Sequence, residues 1–163
     1  MKKSVLKVQM FGTYSIEYEG NPVSFERNTT TKTNQLMQIL LQAGEKGVTR
    51  AKLLSDLFGN EEMSNPANSL RATVFRLRRL LAAAGLPEDE YVTIKGGSYY
   101  WTSGIPYELD AHQFEELLKK AEKENDPEKK KSYIEEACEL YRGEFLPQLG
   151  AEGWAVVLNV YYK

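Results

Sequence analysis

Four arginines stand close together between residues 65 and 85: Arg71, Arg76, Arg78 and Arg79, within NPANSLRATVFRLRRLLAAAG. No Asp or Glu interrupts them. Helices exposed to water ordinarily mix both signs, since opposite charges three or four residues apart support each other. A guanidinium is a permanent cation with a planar fork of donors, suited to phosphate and, bidentate, to guanine. A carboxylate on the same face would be held against phosphates ~1.7 Å apart along a duplex axis. Acid-free arginine is therefore the pattern of a helix that meets nucleic acid. Composition alone also permits a solvated surface helix.

The element that positions these residues is readable. Asn65 is a helix cap, and Pro66 follows at the first helical position, where no backbone donor is lost. At about 100° per residue, Leu70, Val74, Leu77 and Leu81 form one apolar stripe. Asn68, Ala72, Phe75 and Arg79 lie on the opposite face, with Arg76 leaning to one side of it and Arg71 and Arg78 to the other. Phe75 suits either a core position between this helix and the wing or contact with a thymine methyl. Arg76 is expected to read a base and Arg78 to grip a phosphate. Asn68 has the chemistry for adenine or phosphate, and Ala72 is small enough for close approach.

Next comes YVTIKGGSYYW, residues 91–101, where two β-rich segments flank Gly96-Gly97, a two-residue hairpin signal with Lys95 at the tip. Upstream, Leu36, Ile39, Leu40 and Ala43 predict a helix ended by Gly44. Thr49 predicts the cap of another, burying Leu53, Leu54, Leu57 and Phe58. Residues 5–10 and 14–18 alternate apolar and polar, predicting a small antiparallel sheet with a third short strand at Val23–Phe25. A helix, a turn, a basic helix and a hairpin make a helix-turn-helix with a wing.

From residue 107 the texture changes. Phe114, Leu117, Leu118 and Ala121 predict one helix; Ile134, Ala137, Cys138 and Tyr141 a second; Trp154, Val157, Leu158 and Tyr161 a third. The charge divides in the same place. The chain carries −2 in all, but residues 1–102 hold 13 Lys and Arg against 10 Asp and Glu, and residues 103–163 hold 8 against 13. Such asymmetry suggests separate partners for the two halves.

Other chemistries are poorly served. His112 and Cys138 are the only residues of their kinds, whereas a metal site needs several such ligands at set spacing. Cys138 lies on an apolar stripe and is expected in the core; His112 is expected to be structural or exposed. Glu115-Glu116, Glu135-Glu136 and Lys129-Lys130-Lys131 read as helix-surface charge. Gly96-Gly97 lacks the rest of a phosphate-cradling motif. Nothing assembles a nucleophile, a base and oxyanion donors. An enzyme is not expected, and no cofactor or metal is. Lys7 and Gln9 break the apolar start, so no signal peptide is read, and no run approaches the ~20 apolar residues of a membrane helix. The expectation is a cytoplasmic protein without a membrane partner.

The R-L-R-R-L-L at 76–81 resembles the recognition helix of OmpR/PhoB-type winged-helix DNA-binding domains. Thr93-Ile94-Lys95-Gly96-Gly97-Ser98-Tyr99 is similar to that family's wing, T-V-R-G-x-G-Y. Lys95 replaces an arginine there and Ser98 a glycine, which implies a modified turn. Leu109-Asp110, Phe114 and Leu140-Tyr141-Arg142-Gly143-Glu144-Phe145-Leu146-Pro147, followed by Trp154, resemble the bacterial transcriptional activator domain. That domain follows such a winged helix in Streptomyces antibiotic regulatory proteins and is built from tetratricopeptide-like helix pairs. The family's helical domain is much longer, so this chain looks like a fragment or a shortened member.

The resemblance implies an α+β winged helix-turn-helix, with an N-terminal sheet, three helices and a β-hairpin wing, over residues 1–102. An all-α tetratricopeptide-like segment is implied over 103–163. The function expected is a sequence-specific regulator of transcription on double-stranded DNA, contacted through Asn68, Arg71, Ala72, Phe75, Arg76, Arg78, Arg79 and Lys95. Loop 59–65 is expected to touch RNA polymerase and the acidic helical half a protein partner. The third helical stripe is expected either to fold back or to make a homodimer. The alternative function is a protein-interaction module whose winged helix no longer binds DNA.

Overall fold

The computed structural model describes residues 5–12, 14–23, 31–59, 65–84, 86, 90–102, 105–141, 143, 145–146, 154–155, 158 and 162. In chain order its elements are β1 (Leu6–Gln9), β2 (Ser15–Tyr18), β3 (Asn21–Pro22), α1 (Lys32–Ala43), β4 (Val48–Thr49), α2 (Arg50–Phe58), α3 (Pro66–Ala83), β5 (Val92–Lys95), β6 (Ser98–Trp101), β7 (Tyr107–Leu109), α4 (Asp110–Lys123) and α5 (Pro127–Leu140). They form two compact units: one takes in Asn21–Pro106, the other Val5–Gly20 together with Tyr107–Lys163. A cut at 102/103 is therefore not how the described residues cluster. The strand expected at Val23–Phe25 falls largely outside them; the strand seen is the two-residue β3 just before it.

In the first unit each α-helix starts on a side-chain cap. Thr31 accepts from the Asn34 backbone N–H, Thr49 from Lys52 and Asn65 from Asn68, at 3.3, 3.2 and 3.2 Å. Gly44, at φ 63°, closes α1. A 3-10 turn follows, and Gly47, at φ 69°, releases the chain into β4. A side chain could not replace that glycine: a Cβ there would lie 2.3 Å from the Tyr100 ring. Leu36 and Leu40 of α1, Leu53 and Leu57 of α2, and Leu70, Val74, Leu77 and Leu81 of α3 are all buried, so the three helices share one core. The predicted α3 stripe is thus the buried one.

The wing is a strand triplet in the order β4-β6-β5. Strands β5 and β6 pair antiparallel from Val92↔Trp101 to Lys95↔Ser98, around Gly96 and Gly97 at φ 59° and 79°. Two successive residues at positive φ are what a primed turn requires, and glycine adopts them without strain. Strand β4 pairs Val48 with Tyr99 and Thr49 with Ser98. The Arg50 N–H continues that ladder to the Gly97 carbonyl at 3.1 Å, fastening the start of α2 to the wing turn.

In the second unit β2, β1 and β7 lie side by side in that order. The β1–β2 pairing is the expected antiparallel hairpin, from Leu6↔Tyr18 to Gln9↔Ser15. The β1–β7 pairing is parallel, Leu6↔Tyr107 to Val8↔Leu109, and reaches across about a hundred residues. Asp110, the first residue of α4, is buried, and its carboxylate accepts the backbone N–H groups of Met10, Phe11 and Ala111 at 2.8, 3.0 and 2.8 Å. Phe11 is fully buried among the rings of Phe114, Tyr141, Phe145 and Tyr162, with centroids 4.9 to 6.2 Å away. The Leu146 N–H donates to the Met10 carbonyl at 2.7 Å. Asp110 on one side and Tyr141, Phe145 and Leu146 on the other are therefore the two clamps on the end of β1.

Helices α4 and α5 pack as a hairpin, α5 being capped by Asp126 with Pro127 at its first turn. Cys138 is exposed, as is Ile134; of the stripe Ile134, Ala137, Cys138 and Tyr141 it is Ala137 that is fully buried. Trp154 is buried, and Tyr162, which donates to Glu115 at 2.9 Å, packs within this unit. Val157 and Tyr161 lie outside the described residues.

Candidate nucleic-acid interface

Helix α3 is eighteen residues long, about 27 Å at ~1.5 Å rise per residue. Its buried stripe faces α1 and α2, and its other side is open. Asn68, Arg71, Ala72, Phe75, Arg76 and Arg79 are all exposed, as the helical spacing predicts. Asn68 sits in the first turn, where its own backbone N–H is taken by the Asn65 cap. Ala72 leaves a shallow place in the middle of the face, between the first-turn Asn68 and the Phe75–Arg79 ridge. By contrast α2 carries a conventional mixed pair, Lys52 to Asp56 at 2.8 Å. The missing acids are a property of α3 and not of the unit.

Phe75 is 62% exposed, so the core alternative for this residue is set aside. The Arg79 guanidinium lies over its ring, 5.8 Å from the centroid. Such a contact on an exposed face contributes about 0.5–1 kcal/mol toward that arrangement.

Arg78 has a different partner. Its Nη2 donates to the Val92 carbonyl of β5 at 3.0 Å. The side chain a quarter-turn from the buried stripe is the one that meets the wing. Arg78, itself exposed, thereby links α3 to the hairpin.

Lys95 is exposed at the end of β5, directly before the glycine turn. Ile94, beside it, is 48% exposed. Strand alternation puts Ile94 on the side of buried Val92, but the core ends before the hairpin tip, so its side chain emerges from the surface. Sequence reasoning singled out neither Ile94 nor the Arg50–Gly97 fastening. A β-branched residue within two positions of the turn was the available signal for the former. For the latter, β4 is too short to leave one.

Among the described residues no group of three or more His, Cys, Asp or Glu could hold a metal ion, and no helix is long and apolar enough to cross a membrane. His112 is half-buried with its ring 6.5 Å from that of Tyr107.

Comparison with known proteins agrees with this geometry. Residues 26–101 match the family described as "Transcriptional regulatory protein, C terminal". These residues span α1 to β6, the whole helix-turn-helix with its wing. The chain is 29% identical over 123 residues to Protein RcaC of Microchaete diplosiphon, covering 70% of this chain and 18% of RcaC. Its fold is similar to that of Mycobacterium tuberculosis EmbR, solved in complex with a low-affinity phosphopeptide: the TM-score is 0.73 at 18% identity, over 99% of this chain and 42% of that one. That likeness extends the shared architecture from the winged helix through the helical region. The chain spans less than a fifth of RcaC and less than half of the EmbR chain.

Proposed function

We propose that this chain is a sequence-specific DNA-binding regulator of transcription, with α3 in the major groove and the β5–β6 wing on the adjacent backbone or minor groove. The observation that carries the reading is the open face of α3. Asn68, Arg71, Ala72, Phe75, Arg76 and Arg79 are exposed together on a helix without a single carboxylate, next to an exposed Lys95 at the wing tip. A winged helix that had become a protein-docking scaffold would be under no pressure to exclude acids from that face. The total charge of −2 does not oppose the reading, because the acids concentrate beyond residue 102. The acidic helical region, with Leu118 and Ile134 exposed on α4 and α5, suits a protein partner. Loop 59–65, of which only the two end residues are described, is the expected contact for RNA polymerase.

The test is selection of bound duplexes from a random pool, followed by titration of the enriched duplex and a scrambled one at several salt concentrations. Enrichment of a defined sequence, bound at least a hundredfold more tightly than the scrambled duplex, supports the proposal. Equal and weak binding of both sinks it.

A further inference from the structure

Phe75 is the most exposed large hydrophobic residue among those described, and it stands in the middle of the face assigned to DNA. A lone exposed aromatic on a protein surface needs no explanation by itself. This one has two features that ask for one. The Arg79 guanidinium lies over its ring at 5.8 Å from the centroid, and Phe75 neighbours Ala72, which leaves room for close approach. In the major groove the apolar feature of a base pair is the thymine C5-methyl group.

We propose that Phe75 reads a thymine methyl, the Arg79 guanidinium fixing the ring in position. The inference rests on the DNA-binding reading above and gives the target a chemical property: a thymine at the step that Phe75 covers. Uracil pairs as thymine does but lacks the methyl, so exchanging one for the other alters that contact and leaves the hydrogen-bonding edge intact. A fully buried methyl accounts for about fourfold in affinity. A 5-methylcytosine carries the same methyl at the same place in the groove.

The probe is the duplex enriched by the intact chain, made with each thymidine replaced singly by deoxyuridine. One such exchange should weaken binding of the parent chain about fourfold, while the other exchanges leave it nearly unchanged. Phe75→Ala should bind the thymine and uracil duplexes equally, and Phe75→Leu, which keeps an apolar side chain, should retain part of the discrimination. Phe75 lies outside the core, so these substitutions spare folding, and circular dichroism of each variant checks it. Arg79→Gln should lessen the discrimination without abolishing it. Discrimination that persists in Phe75→Ala, or a parent chain indifferent to every exchange, overturns the assignment while leaving DNA binding intact. Failure of the parent chain to enrich any duplex overturns the DNA-binding reading and this inference with it.

Discussion

Arg78 and Val92, fourteen residues apart, are joined by a hydrogen bond of 3.0 Å from the guanidinium Nη2 to the backbone carbonyl. The bond links the fourth turn of α3 to the first residue of β5. It gives an arginine on an open helix a partner within the protein.

Replacing Arg78 by Ala should therefore weaken DNA binding through the wing. A hydrogen bond of this kind contributes about 1 kcal/mol, so a loss of about fivefold is expected. The slope of log K against log salt should stay that of the parent. A slope flattened by about one unit would instead make Arg78 a phosphate contact.

Arg71 and Lys95 should behave in the opposite way. Both are exposed, one on the flank of α3 and one at the wing tip. Replacing either by Ala should lower affinity for selected and scrambled duplexes alike and flatten the salt slope by roughly 0.9. Arg76→Ala is expected to cost about 1–3 kcal/mol on the selected sequence and little on the scrambled one. Parallel titrations on the two duplexes separate these outcomes.

Asp110→Ala should destabilise the second unit severely. Three buried backbone N–H groups, of Met10, Phe11 and Ala111, would lose their acceptor. Leaving each one unsatisfied costs about 1–3 kcal/mol, so a total of roughly 3 kcal/mol or more is expected. The chain has two tryptophans, Trp101 in the first unit and Trp154 in the second. Urea unfolding in a Trp101→Phe background, followed by Trp154 fluorescence, reports the second unit. An unchanged midpoint would deny Asp110 this role.

Tyr14 gives a pH prediction. Its hydroxyl is buried with no hydrogen-bond partner among the described residues, and burial raises its pKa above the ordinary 10.0. The folded state thus favours the neutral phenol. Its contribution is fully present below pH 10 and is lost as pH rises from there toward the folded value. Tyr14→Phe should be neutral or mildly stabilising at pH 7, because it removes an unpaired buried hydroxyl. It should also lose less stability than the parent between pH 9 and pH 11. Denaturant titrations at these pH values check both points.

What could be read from the sequence was what local chemistry decides. Thr49, Asn65-Pro66 and Gly96-Gly97 each specify an end or a turn by their own side chains or lack of them, and the helices and wing begin and turn there. The open face of α3 comes from a period of 3.6 residues and the apolar stripe at Leu70, Val74, Leu77 and Leu81. The parallel partnership of β1 with β7 leaves no such mark. Tyr107–Leu109 is three residues long, too short for alternation to show, and its partner lies at the far end of the chain. The Arg78–Val92 bond left no mark for a related reason: a helical wheel gives direction but does not say that a wing strand waits on that side. Cys138 was misjudged because an apolar stripe promises burial only if something covers it, and here the covered residue is Ala137.

The strand order has a bearing on how such a protein can be taken apart. Val5–Gly20 clusters with residues from 107 onward, so the winged helix is threaded as an insert between the second and last strands of the other unit's sheet. Removing everything after residue 102 leaves a hairpin without its neighbour. Keeping residues 103–163 alone leaves Asp110 without two of its three donors, Met10 and Phe11. A break at that junction would therefore disrupt the packing of both halves. A dissected helical unit should be soluble only when residues 5–20 are grafted back, for example by a short linker from Gly20 to Tyr107.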